Sequence, residues 1–124
     1  MKKRLLTLIL FSAFNAAQGA ELLYFFDKQC GACQKFDKEV GYHYDKTSEG
    51  KLAPLKKVEY RVWREQEQKP YADVLSKRVV GTPTFIMVHN GKEIDRLTGY
   101  SNDELFWFAM QHMLNRVEHI SSAQ

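Results

Sequence analysis

Two uninterrupted apolar runs, Leu22–Phe26 (LLYFF) and Thr84–Val88 (TFIMV), constrain the fold of this 124-residue chain more than any other feature. A strand with one wet face alternates polar and apolar residues, so a run without alternation has to be covered on both faces. Both runs are therefore expected at the centre of a sheet with material packed above and below it. Two weaker segments fit edge strands. Val58, Tyr60 and Val62 alternate with Glu59 and Arg61, and Lys92–Leu97 alternates after His89-Asn90-Gly91, a hairpin signal.

The segments between them read as helices and loops. Cys33, Phe36, Val40 and Tyr44 share helical spacing and predict a helix from Gly31 to about Asp45, with Gly41 as a kink. Residues 46–56 carry the breakers Gly50 and Pro54 and read as a loop. Tyr71, Val74, Leu75 and Val79 predict a short helix after Pro70, and Leu105 to about Ile120 a longer one capped by Asn102 or Asp103. The stripe of that last helix includes Phe106, Met110, Met113, Val117 and Ile120. Three consecutive helical residues span about 200°, so Phe106 is expected in the core with Trp107 or Phe108 exposed. The order β-α-β-α-β-β-α then gives an α/β fold: a four-stranded mixed sheet, ordered second-first-third-fourth, with helices on both faces and a right-handed first crossover.

Lys2, Lys3 and Arg4 precede an apolar stretch, Leu5–Phe14, and small residues at Ala16, Ala17, Gly19 and Ala20. That order predicts a secretory signal peptide over residues 1–20, cleaved after Gly19 or Ala20, followed by one domain over 21–124. The apolar stretch is shorter than the roughly 20 residues that span a bilayer, and no cysteine near the cleavage site invites a lipid anchor. Export from the cytoplasm is the expectation. The leader holds three of the 18 basic residues and none of the 15 acidic ones, so the remainder has 15 of each. A neutral domain gives no support to a nucleic-acid or anionic-membrane footprint.

Both cysteines of the chain lie in FFDKQCGACQKF, as Cys30-Gly31-Ala32-Cys33. A staple closing so short a loop contributes only about 2 kcal/mol, against roughly 4–5 for a 100-residue loop. A tetrahedral thiolate site needs more ligands than one pair, and His43, His89, His112 and His119 are scattered without ligand spacing. A copper carrier with Met87 as third ligand and a non-catalytic binding module are the competing readings. The pattern favours redox chemistry. Cys30 falls where a central strand ends and a helix begins, and the free N–H groups there favour a thiolate, the nucleophile of disulfide exchange. Cys33, one turn on and facing inward, is placed to resolve the mixed disulfide.

VGTPTF, residues 80–85, sets Thr82-Pro83 directly before the second apolar run. CGAC followed by GTPTF resembles the active site of thioredoxin-fold thiol–disulfide oxidoreductases. FFDKQCGACQK and GTPTFIMVHNGKEIDRLTGY are similar to catalytic domains of the periplasmic disulfide isomerases and reductases of the Dsb family. KTSEGKLAPLKKV and LTGYSNDELFW resemble small SoxS-type thioredoxin-like proteins of bacterial sulfur-oxidation systems. The resemblance implies the minimal thioredoxin fold, Cys30 and Cys33 as the catalytic pair, and a cis Thr82–Pro83 bond that offers a substrate-binding edge. It also implies a periplasmic reductant that keeps a partner protein's cysteine usable, with no cofactor beyond the Cys30–Cys33 disulfide.

The chain departs from the family in places. Lys28 and Gln29 stand where cytoplasmic thioredoxins carry a tryptophan, and their buried acid falls at Tyr24. Asp27 is an alternative proton acceptor for Cys33 if it points inward. Gly31-Ala32 lacks both the proline of thioredoxins and the histidine of the strong oxidases, and with no donor side chain it leans toward the reducing side. The dimerisation domain of the isomerases is absent. No glycine-rich dinucleotide fingerprint occurs, so electrons are expected from a membrane electron-relay protein.

Overall fold

The structure, a computed structural model, describes residues 19–123, so the expected leader falls outside the described residues except for its last two positions. Both apolar runs form central strands, β1 (Glu21–Phe26) and β3 (Thr84–His89), flanked by β2 (Leu55–Glu59) and β4 (Lys92–Thr98) in the order β2-β1-β3-β4. β1 runs parallel to β2 and antiparallel to β3, and β3 pairs antiparallel with β4 through a hairpin with positive φ at Asn90 and Gly91.

Side-chain alternation along the buried strands feeds two separate cores. Leu22, Tyr24, Phe85 and Met87 face one side. There they meet Cys33, Phe36 and Val40, and then Phe106, Met110 and Met113 of the long helix α4 (Asp103–Ser122). Tyr24 stacks on Phe85 at 5.0 Å, and Phe36 packs against Phe85 at 4.7 Å and Phe106 at 5.0 Å. Leu23, Phe25, Ile86 and Val88 face the other side, where Val58, Trp63 and Val79 cover them. Phe106 is buried, Trp107 half-buried and Phe108 74% exposed, the division that helical geometry requires.

Four local expectations need correction. The first helix, α1 (Gly31–Phe36), is α-helical for six residues and then widens into a π-helical stretch, Asp37–Gly41, rather than running on to Asp45. The loop after it contains a turn of 3-10 helix, Tyr44–Lys46, and the short helix α2 (Ser48–Leu52), whose cap Thr47 accepts the Gly50 N–H at 2.9 Å. Gly50 is obligatory here: a Cβ on it would lie 1.9 Å from the Tyr44 carbonyl oxygen.

The 58/60/62 alternation crosses a boundary between elements. β2 ends at Glu59 and the chain turns into α3 (Tyr60–Glu65), leaving Val62 52% exposed. Trp63 decides this, because only the helix lays its ring edge-on to Phe25 at 5.0 Å with its N–H on the Pro70 carbonyl at 2.7 Å. Lastly, residues 71–79 form turns instead of a helix, and Tyr71 has a left-handed φ of 65° that interrupts any helix there. Side chains of β4 hold this segment. Glu93 accepts from Ser76 N–H and hydroxyl, while Arg96 donates to the carbonyls of Arg78 and Lys77 at 2.8 and 3.0 Å.

Candidate active site

Cys30 is the N-cap of α1, with extended backbone (φ −83°, ψ 112°). Its sulfur accepts the Cys33 N–H at 3.1 Å, filling one of the donor positions that a helix start leaves open. The two cysteines are joined as a disulfide with Cα atoms 5.2 Å apart. Their surroundings differ. Cys33 is 1% exposed in the Tyr24 core, whereas Cys30 lies partly exposed at its edge. Gly31 is exposed and Ala32 half-buried, and a side chain at Gly31 would meet nothing within 4 Å. The spacer leaves the approach to Cys30 open.

Thr82–Pro83 is cis and comes to the same end of the sheet. Thr84 is in register with Phe25, so Pro83 lies level with the last residue of β1, where the loop to Cys30 departs. The Pro83 carbonyl accepts the Gly99 N–H at 2.8 Å and the Thr84 hydroxyl donates to the Gly81 carbonyl at 2.6 Å. Among the described residues no hydrogen bond uses the backbone N–H or C=O of the half-buried Thr82.

Asp27 is engaged by groups other than Cys33. Its carboxylate accepts the Gln29 N–H at 2.9 Å and the Arg61 guanidinium at 2.6 Å, and Arg61 also reaches the Gln29 side chain at 3.3 Å. The Gln29 N–H, then Arg61, hold its carboxyl below the usual range against the opposing effect of burial. Asp27 and Arg61 thus brace the loop before Cys30 against α3. Met87, the copper reading's third ligand, is fully buried in register with Leu22, about 13 Å along β1 from the cysteine end. Among the described residues no group of three or more His, Cys, Asp or Glu side chains is placed to hold a metal ion.

The sequence reading did not single out the pair behind Cys33. The Tyr24 hydroxyl lies 3.2 Å from the Cys33 carbonyl and 3.1 Å from an Asp37 carboxylate oxygen, able to donate to either. Burial first, and then Asp37, push the Tyr24 hydroxyl pKa far up, so it stays protonated and a donor. One signal was available: Asp37 follows Cys33 by four residues, one helical turn.

Residues 11–114 match the family model of the thioredoxin-like domain. The chain belongs to that family. Among solved structures it is similar to the periplasmic thioredoxin SoxS from Paracoccus pantotrophus in its reduced form, at 28% identity and a TM-score of 0.69. That match covers 79% of this chain and 98% of the other. The thioredoxin of Fasciola hepatica follows at 23% identity and 0.52, covering 76% and 81%. Malassezia sympodialis thioredoxin follows at 21% and 0.50, covering 78% and 77%; these two speak to the fold alone. No curated protein matches the chain. Family, fold and the Cys30–Cys33 pair make it a thiol–disulfide oxidoreductase, whose redox group is its own disulfide. Thioredoxin-like proteins act on substrate proteins with cysteines.

Proposed function

We propose that this thioredoxin-like protein is a periplasmic reductant that reduces a disulfide, or frees a blocked cysteine, in a partner protein. The asymmetry of the cysteine pair carries this reading: Cys30 is partly exposed with an N–H 3.1 Å from its sulfur, and Cys33 is buried. That N–H stabilises charge on a Cys30 thiolate, which attacks the partner's sulfur. A buried Cys33 can reach only a sulfur bonded to Cys30, so it resolves the mixed disulfide and releases the reduced partner. The open N–H and C=O of Thr82, beside buried Pro83, pair with an extended substrate segment as an added strand and aim its cysteine at Cys30.

Direction and place rest on further support. Gly31-Ala32 brings no imidazolium or donor to hold Cys30 as a thiolate, and 30 mV of potential corresponds to about 1.4 kcal/mol, less than one such charged hydrogen bond. The leader-like residues 1–20 and the likeness to a periplasmic thioredoxin support an exported protein, and among the described residues no helix is long and apolar enough to cross a membrane. The partner is a component of a sulfur-oxidation system, and a membrane electron-relay protein supplies the electrons.

Cys33→Ser, expressed with its leader in a sulfur-oxidising bacterium, should accumulate one dominant mixed disulfide through Cys30, and its partner is read by mass spectrometry. Alkylation that labels Cys33 faster than Cys30 in the reduced wild type would reverse the assigned roles. A reduction potential nearer about −120 mV than about −270 mV would make the protein an oxidant instead.

A further inference from the structure

Resolution has a requirement that the cysteines do not meet between them. Cys33 must lose a proton before it attacks, yet it is 1% exposed and closed off from bulk water. Asp27, the carboxylate nearest in sequence before Cys30, is taken by Arg61 and Gln29. Behind Cys33 stands the Tyr24–Asp37 pair. The Asp37 N–H donates to the Cys33 carbonyl, so the two residues stack one turn apart, where side chains have Cβ atoms about 5–6 Å from each other. The Tyr24 hydroxyl, from a fully buried ring on β1, fixes the Asp37 carboxylate from the other side at 3.1 Å. Gly41 leaves space beside it, since even a Cβ there would come no closer than 3.4 Å to the carboxylate oxygen.

We propose that Asp37 accepts the proton of Cys33 during resolution and that Tyr24 is the positioning residue that holds it for the task. This rests on Cys33 being the resolving sulfur. The Cys33 S–H bond breaks and its proton passes to the Asp37 carboxylate. The electron pair left on the Cys33 sulfur attacks the Cys30 sulfur, the Cys30–Cys33 bond forms, and the bond from Cys30 to the partner breaks. The partner's sulfur leaves as a thiolate and takes the proton from Asp37. One disulfide is made and one is reduced. From β2, Lys57 sets its ammonium over the rings of Phe26 and Tyr24, at 4.7 and 5.8 Å. On the helix itself Lys38 and Glu39 flank Asp37, with Glu39 turned to Lys35 at 3.4 Å.

The test uses the reduced full-length protein and dithiobis(nitrobenzoate), whose coloured thiol is released once when Cys30 attacks and once when Cys33 resolves. Asp37→Asn keeps an oxygen for Tyr24 but is no longer a base. At neutral pH it should slow the second phase by about tenfold or more, the low end of what a positioned base contributes. The gap to the wild type should narrow as the pH rises past about 8.5, the ordinary thiol value, because hydroxide then competes with Asp37 for the proton. The first phase should not change. Tyr24→Phe should slow the second phase by about threefold, the loss of one modest hydrogen bond, with the same narrowing. Second-phase pH profiles of Asp37→Asn that superimpose on the wild type would overturn the proposal. So would equal slowing of both phases, which signals damage to the helix rather than to proton transfer. If the wild type releases only one equivalent of thiol, Cys33 does not resolve at all and the exchange reading falls with it.

Discussion

The two faces of the sheet are covered differently, and the proposed active site draws one half from each. On the Tyr24 face, α1 and α4 close over β1 and β3 through apolar contact, with Phe36, Phe85 and Phe106 interlocked at 4.7–5.1 Å. The cysteine pair grows out of this face. On the Trp63 face, the chain from Gln66 to Pro83 holds little regular structure, and Val79 is the one residue of it in the buried cluster. Its hold is polar. Arg96 and Glu93 have side chains 10% and 4% exposed, 2.5 Å apart, and between them grip Ser76, Lys77 and Arg78. The Tyr60 hydroxyl adds a bond to the Val79 carbonyl at 2.9 Å. The Thr82–Pro83 edge hangs from this clamp. The cysteine side is held mainly by packing, whereas the edge beside it depends on hydrogen bonds, charged at residues 76–78 and neutral at Pro83 and Thr84.

Phe36→Ala should produce the largest loss, about 4 kcal/mol of stability in urea titration, because it empties the centre of the apolar face. If the loss falls below about 1 kcal/mol, packing does not dominate there and the contrast between the faces fails. Arg96→Met should cost about 3 kcal/mol, since it leaves the Glu93 charge buried without its partner. It should also separate two readouts. Turnover of a protein disulfide should fall several-fold while the attack of Cys30 on a small disulfide holds, because the clamp sets the Thr82 segment and not the cysteines. Equal loss of both would mean that the two halves of the site are not held independently.

Glu93 sharpens the comparison through pH. Burial acts to raise its pKa, but Arg96 and the two Ser76 bonds outweigh burial and leave it below the usual carboxylate range. A depressed carboxylate stabilises the fold above its unfolded pKa, about 4.3, and that contribution is lost as the pH falls through the folded value. Glu93→Gln should therefore cost about 2 kcal/mol near pH 7, with the gap to wild type closing below pH 4 in acid unfolding curves. A gap that stays constant with pH would remove the charge from the account. The smallest effect belongs to the helical face. Asn102→Ala removes the cap that accepts the Leu105 N–H at 2.9 Å and should cost about 1 kcal/mol, with disulfide exchange unchanged. A change in exchange rate would tie the start of α4 to the site.

What the sequence determined by itself follows from short-range patterns with long apolar runs. Leu22–Phe26 and Thr84–Val88 have no polar face to offer water, so their central place and the strand order β2-β1-β3-β4 were legible from residues alone. The cysteine pair was legible because its spacing and its place at a strand-to-helix junction are both local. Tertiary structure decided what depends on a partner distant in sequence. Trp63 bends β2 into a helix because Phe25 is there to receive it, though the alternation from Val58 to Val62 says strand. The segment around Tyr71 gives up its helical spacing because Glu93 and Arg96 supply its backbone with hydrogen-bond partners from another strand. Asp27 faces Arg61 across 34 positions and so leaves Cys33, while Asp37 is drawn in by Tyr24. A side chain's period is written in its neighbours along the chain; which carboxylate meets which donor is fixed only when the sheet brings them within about 3 Å.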